Sequence, residues 1–226
     1  MKNKVQIQWA IFFWIVVAAD IIGIVAGIST VHYIAKPLLI PALFVLLLAT
    51  KAAVPHKNLL LTGLVFSWLG DMFLLFENKN ALFFIFGLAA FLTTHIFYII
   101  YFLKVSSANI SLLKKQPWLV VVIICYGVAL VGFLYPHLGD LKIPVIVYAT
   151  VICSMLLCSL HIFLKVNNPA NILYLLGAAL FVLSDSLLAL NKFNQPFAFA
   201  GVLIMFTYCA AQYFIVTGFI KQLPYD

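Results

Sequence analysis

The chain has 226 residues, of which 66% are hydrophobic and only 8% charged, with a mean hydropathy of +1.18. Soluble domains carry about 25% charge, so a water-soluble fold is excluded and the whole length, 1–226, is read as a single transmembrane domain. The net charge of +7 comes from thirteen lysines and no arginine, scattered between apolar runs without a basic stripe, which excludes nucleic acid and leaves lipid headgroups as the expected partners.

Cutting the chain where Lys, Pro, Asn and Asp cluster predicts an all-α integral membrane fold of eight transmembrane helices, at about 7–28, 32–50, 57–76, 80–103, 117–135, 142–164, 170–190 and 197–220. The first follows Lys2 and Lys4 but is too long for the apolar region of a signal peptide, and it contains Asp20 before any cleavage-like site, so it is read as a span. Asp20 is expected to be a third cavity carboxylate or a partner for Lys36. The second opens on Lys36-Pro37, proline being tolerated in a first turn whose N–H groups lack helical partners. Lys36 is expected either to snorkel to the interface or to turn inward, holding a carboxylate ionised or binding a phosphate.

The third span buries Asp71 in the run from Leu64 to Leu75, eight positions after Gly63, and the seventh buries Asp185 between Ala178 and Ala189, eight positions after Gly177. An ionisable group in hydrocarbon costs on the order of 2.5 to 3.5 kcal/mol or more, so each reads as a functional site by default. The fourth span carries His95 and, at i+3 on the same face, Tyr98; the sixth carries Tyr148; the eighth carries Tyr208 and Gln212 at i, i+4. Hydrogen bonding between helices accounts for these without chemistry. Cys125, Cys153, Cys158 and Cys209 fall in apolar segments without C-x-x-C spacing and are read as small buried hydrophobes. Too few acids lie within the spans to hold a hard cation, and no metal or other cofactor is expected.

Short connectors such as Glu77-Asn78-Lys79-Asn80 and Val166-Asn167-Asn168-Pro169 make sequence neighbours antiparallel hairpins. Sorted by side, Lys2, Lys4, Lys51, Lys57, Lys104, Lys114, Lys115, Lys165 and Lys221 face Lys36, Lys79, Lys142 and Lys192. That bias places both termini in the cytoplasm and both buried aspartates a turn or two below the outer surface. The expected location is a bacterial inner (plasma) membrane. Sliding the chain by 114 sets Gly63 on Gly177, Asp71 on Asp185 and Tyr98 on Gln212. This predicts a parallel repeat of two four-helix halves, with both aspartates facing one central polar cavity.

At Lys36-Pro37-Leu, Ser67-Trp-Leu-Gly70-Asp71-Met-Phe-Leu, His95 with Tyr98, Tyr148, the segment from Gly177 to Ala189 with Phe193, Tyr208 and Gln212, the chain resembles the YhhN-type lysoplasmalogenase family of multispanning membrane enzymes. The resemblance covers nearly the whole chain, and Ser184-Asp185-Ser-Leu-Leu-Ala189 is its most specific piece. It implies hydrolysis of the vinyl ether bond of lysoplasmalogens to a fatty aldehyde and glycerophosphoethanolamine or glycerophosphocholine. The family's acidic positions carry over to Asp71 and Asp185; Lys36, His95, Tyr148, Tyr208 and Gln212 match further motif positions.

Enol ether cleavage needs a proton on the outer vinyl carbon and then water on the oxocarbenium ion. Two carboxylates serve that sequence, one protonated as general acid and one ionised as base. Asp185, with neighbours Ser184 and Ser186, is taken as the ionised one. The phosphate is expected at Lys36, with Lys79 or Lys192 as helpers, and the tail in a groove lined by some of the 21 phenylalanines. A proton-coupled transporter is the rival from another class, disfavoured because no span shows a Gly/Pro interruption near mid-membrane. An intramembrane aspartyl protease is disfavoured because Leu69-Gly70-Asp71 lacks a Tyr-Asp partner outside the tail Tyr225-Asp226.

Overall fold

A computed structural model describes residues 4–49, 55–104 and 109–222; Lys2, Lys51 and Tyr225-Asp226 lie outside them. The described residues are helical, with no strand. The long helices are α1 (Lys4–Val25), α2 (Ser29–Leu48), α3 (Lys57–Leu75), α4 (Ala81–Lys104), α6 (Trp118–Leu134), α7 (Lys142–Ile162), α8 (Ala170–Ala189) and α9 (Ala200–Lys221). A one-turn α5 (Leu112–Lys115) precedes α6, two short 3-10 turns join α6 to α7, and α8 runs on into a π turn, Leu190–Asn194. Eight of these segments are long and apolar enough to cross a bilayer, so the chain is an integral multi-pass membrane protein. It divides into two compact units, Met1–Tyr98 and Ile99–Asp226.

In the first unit, α1 and α2 form a hairpin through Gly27, whose φ of 66° suits glycine. α2 begins at Ser29, so Lys36-Pro37 lies in its third turn and does not open the helix; both Pro37 and Pro41 fall inside it. The helix nevertheless runs unbroken, and a side chain from α3 explains how. Pro41 has no N–H to give the carbonyl four positions back, which is that of Pro37. The Trp68 indole donates to that oxygen at 3.0 Å instead. α3 and α4 meet where glycines leave room for rings. A Cβ on Gly63 would stand 2.5 Å from the Tyr98 ring, and one on Gly70 2.7 Å from the Phe91 ring. Thr94 Oγ1 donates across the same seam to the Gly63 carbonyl at 3.1 Å.

In the second unit, α9 is the central helix, 61% buried, and α6 the peripheral one, 11% buried. α8 and α9 pack backbone to backbone: a Cβ on Gly177 would lie 2.7 Å from Ile215 and 3.0 Å from the Ala211 carbonyl. Gly63 and Gly177, eight positions before Asp71 and Asp185, are thus both sites of close helix approach. At the far end of this unit, the hydroxyls of Tyr101 and Tyr174 each donate to Gln222 Oε1 at 2.7 Å and touch each other at 2.8 Å. The cysteines differ from expectation. Only Cys209 is buried, while Cys125 is exposed on α6 and Cys153 and Cys158 are partly exposed. A thiol facing lipid is tolerated because it is nearly as apolar as the chains around it.

Trp68→Phe deprives the Pro37 carbonyl of its donor and is expected to destabilise the protein by about 1 to 3 kcal/mol. A thermal melt in detergent checks this; an unchanged midpoint would show that the carbonyl needs no indole.

Candidate functional site

Asp185 lies four positions before the end of α8 and is partly exposed. Tyr148, in the second turn of α7, donates its hydroxyl to Asp185 Oδ2 at 2.5 Å. A phenol buried to 9% exposure needs an acceptor, and a carboxylate in an apolar wall needs a donor, so each satisfies the other. A second bond anchors the neighbouring position from α6. Ser186 Oγ donates to the Val182 carbonyl at 2.6 Å, so its lone pair accepts the Tyr126 hydroxyl at 2.7 Å.

These groups stand in the wall of an open groove bounded by α6, α7 and α8, with about 430 Å³ of space counting what lies open at its mouth. Its apolar lining is aliphatic, including Leu130, Val145, Ile152 and Val182, and no phenylalanine lines it. Tyr126 is 42% exposed in mid-span, so the groove reaches the outer surface of α6. A carboxylate oriented by a phenol beside an alkyl-sized slot suits acid-base chemistry on an amphiphile.

The other candidates in this unit lie outside the lining of that groove. Ser184 is buried and donates to the Ile204 carbonyl of α9 at 3.0 Å. Tyr208 packs edge-on against Phe181, and Gln212 is fully buried on α9.

In the first unit, Asp71 lies four positions before the end of α3, the same local setting as Asp185 in α8, and is buried to 2% exposure. Ser67, one turn earlier, is completely buried, as is His95 on α4. Lys36 is buried on α2 at 8% exposure and therefore does not snorkel. Asp20, at 1% exposure, pairs with His32 and not with Lys36: His32 Nδ1 meets Asp20 Oδ1 at 2.8 Å. The hairpin explains the choice, because twelve residues of antiparallel helix bring the imidazole opposite the acid.

Tyr126 and His32 are the two members that sequence reasoning missed. A signal existed for His32, a polar residue directly across a tight turn from a buried acid. Tyr126 gave none, since its helix is otherwise apolar on all sides. Among the described residues, no group of three His, Cys, Asp or Glu side chains is placed to hold a metal ion.

The model of the YhhN family matches residues 31–219. Relatives include the bovine (Bos taurus) lysoplasmalogenase TMEM86A, 31% identical over 175 residues that make up 74% of this chain and 68% of that protein. The human (Homo sapiens) lysoplasmalogenase TMEM86B is 32% identical over 168 residues, 74% of this chain and 66% of that protein. A Mycobacterium bovis lysoplasmalogenase is 29% identical over 202 residues, 86% of this chain and 75% of that protein. No solved structure matches significantly. With most of its length matched, and with relatives of this kind, the chain belongs to the YhhN family.

Proposed function

We propose that the protein is a lysoplasmalogenase, hydrolysing the vinyl ether bond of a lysoplasmalogen to a fatty aldehyde and a glycerophospho-alcohol. Family membership and relatives bearing that name support the substrate class. The observation that carries the chemistry is Asp185, held by Tyr148 in the wall of an apolar groove. A single-chain lipid lays its tail along such a groove and brings its ether bond to the carboxylate.

The reaction then runs in three steps. A protonated carboxyl gives its proton to the outer vinyl carbon, and the double-bond electrons form the new C–H bond. The inner carbon becomes an oxocarbenium ion, which an ionised carboxylate stabilises while taking a proton from the attacking water. The hemiacetal so formed loses the glycerol oxygen as an alcohol and leaves the aldehyde. We assign the ionised role to Asp185, whose Oδ2 accepts the Tyr148 hydroxyl, and the acid role to Asp71. Lys36 takes the phosphate.

Lysine placement supports the orientation. Lys4 and Lys57 lie at the end of the first unit opposite Lys79, and Lys104, Lys114, Lys115, Lys165 and Lys221 at the end of the second opposite Lys142 and Lys192. We propose cytoplasmic termini on that bias.

In proteoliposomes supplied with a lysoplasmalogen, Asp71→Asn and Asp185→Asn are each expected to lower kcat for aldehyde release by about 10²- to 10⁴-fold while eluting as folded protein. Full activity in either overturns the two-carboxylate mechanism, and solute flux without aldehyde release overturns the enzyme reading. Tyr148→Phe is expected to lower kcat about 10- to 100-fold with KM nearly unchanged, because the lost bond is to a charged group that reacts. Lys36→Ala is expected chiefly to raise KM; a large fall in kcat at constant KM would contradict phosphate binding.

A further inference from the structure

Asp20, His32 and Lys36 lie on the α1–α2 hairpin and carry no role in the chemistry above except for the phosphate contact. Resting on the lysophospholipid reading, we infer that they form a headgroup site that selects a zwitterion with a primary ammonium, Asp20 binding the ammonium while Lys36 binds the phosphate. Asp20 is thereby a specificity-determining residue.

Two opposite charges on this hairpin are buried yet not spent on each other. Lys36 makes no hydrogen bond or ion pair with any described residue. Asp20 uses Oδ1 on His32, and its Oδ2 is buried with no hydrogen-bond partner. A carboxylate oxygen in that state leaves unmet a demand that protein interiors almost always meet.

Their relative placement follows from helix geometry. A Cβ on Gly23 would lie 3.0 Å from the His32 backbone nitrogen and 3.2 Å from the Val31 side chain, which fixes the antiparallel register of α1 against α2. Counting along both helices from that point puts Lys36 within about one turn of the level of Asp20. His32 and Lys36 are i, i+4 and share the face that meets α1. Helical side chains lean toward the N-terminus, so the lysine extends toward the turn that carries His32.

His32 has two consequences for the site. By bonding Oδ1 it orients the carboxylate and leaves Oδ2 for another donor. At 24% exposure it also stands between Asp20 and the hairpin turn, the end from which a headgroup arrives. Among the described residues of the first unit, the other charged side chains near this end are Glu77 and Lys79, in the turn after α3, and Lys79 sits over the Phe76 ring at 4.8 Å.

A phosphate monoester or an anionic headgroup would satisfy Lys36 and leave Oδ2 orphaned. A quaternary ammonium brings charge but no N–H. A primary ammonium three bonds beyond a phosphate ester oxygen brings both, and a charged hydrogen bond to Asp20 gives about tenfold or more in affinity.

The test uses wild-type protein in mixed micelles at fixed lipid mole fraction, with lysoplasmalogens whose headgroup nitrogen carries zero, one, two or three methyl groups. KM is expected to rise with methylation, most sharply at the trimethyl member, which has lost its last N–H; a flat series overturns the inference. Asp20→Asn is expected to bring the trimethyl-to-unmethylated KM ratio at least fivefold closer to one, with Asp20→Glu restoring part of it. An unchanged ratio in a folded Asp20→Asn protein also overturns the inference. With a flat series, aldehyde release from any member keeps the hydrolase reading standing while the headgroup reading falls; release from none sinks the hydrolase reading itself. The methylation series needs no variant, so a misfolded mutant does not block the decision.

Discussion

A carboxylate placed in hydrocarbon has to be met by a donor from the protein or from a ligand, and much of this molecule is organised by that demand. Asp185 is met by the phenol of Tyr148 on the adjacent helix, and Asp20 by the imidazole of His32 across a hairpin turn. In both cases the partner comes from a neighbouring helix, so the bond fixes rotation and depth of the pair as well as charge. Packing around the acids is correspondingly tight. Glycine at positions 63 and 177 lets a ring or a backbone approach to distances that no Cβ would permit, locking each acid-bearing helix against its neighbour.

The same rule governs the backbone. Two prolines in the middle of α2 would strand carbonyls in a medium without water, and one of them is rescued by an indole from α3. The prolines therefore do not break the helix as they would in an unwound binding segment. The Pro37 carbonyl ties α2 to α3 at one level, beside the turn that carries Lys36.

Hydropathy alone made the eight spans legible, because a length near 20 apolar residues has few other uses, and the buried acids stood out against that background. The start of α2 was not legible: Lys36-Pro37 looks like a helix opening, and only the unbroken turn from Ser29 shows that Trp68 supplies the missing donor. Partner choice was equally hidden. Asp20 had Lys36 as an obvious mate by charge, yet register gave it His32. Ser184 and Ser186 flank Asp185 in sequence but point to different helices, one to an α9 carbonyl and the other to Tyr126 of α6. Such differences follow from 100° steps around a helix, which a string of letters conceals unless the neighbours are known. The groove had to be seen in three dimensions, since its walls come from α6, α7 and α8 and use none of the phenylalanines that composition suggested.

The exposure of Tyr126 on the outer face of α6 bears on how concentration should be counted. A lipid entering the proposed groove sideways from the acyl region would arrive by lateral diffusion in two dimensions, without a passage through water. The driving variable for such a catalyst is the mole fraction of substrate in the surface, and its bulk molarity is irrelevant once partitioning is complete. Added detergent or inert phospholipid then acts as a diluent, slowing turnover at constant total substrate. Saturation curves from different membranes become comparable only when expressed per unit of interface.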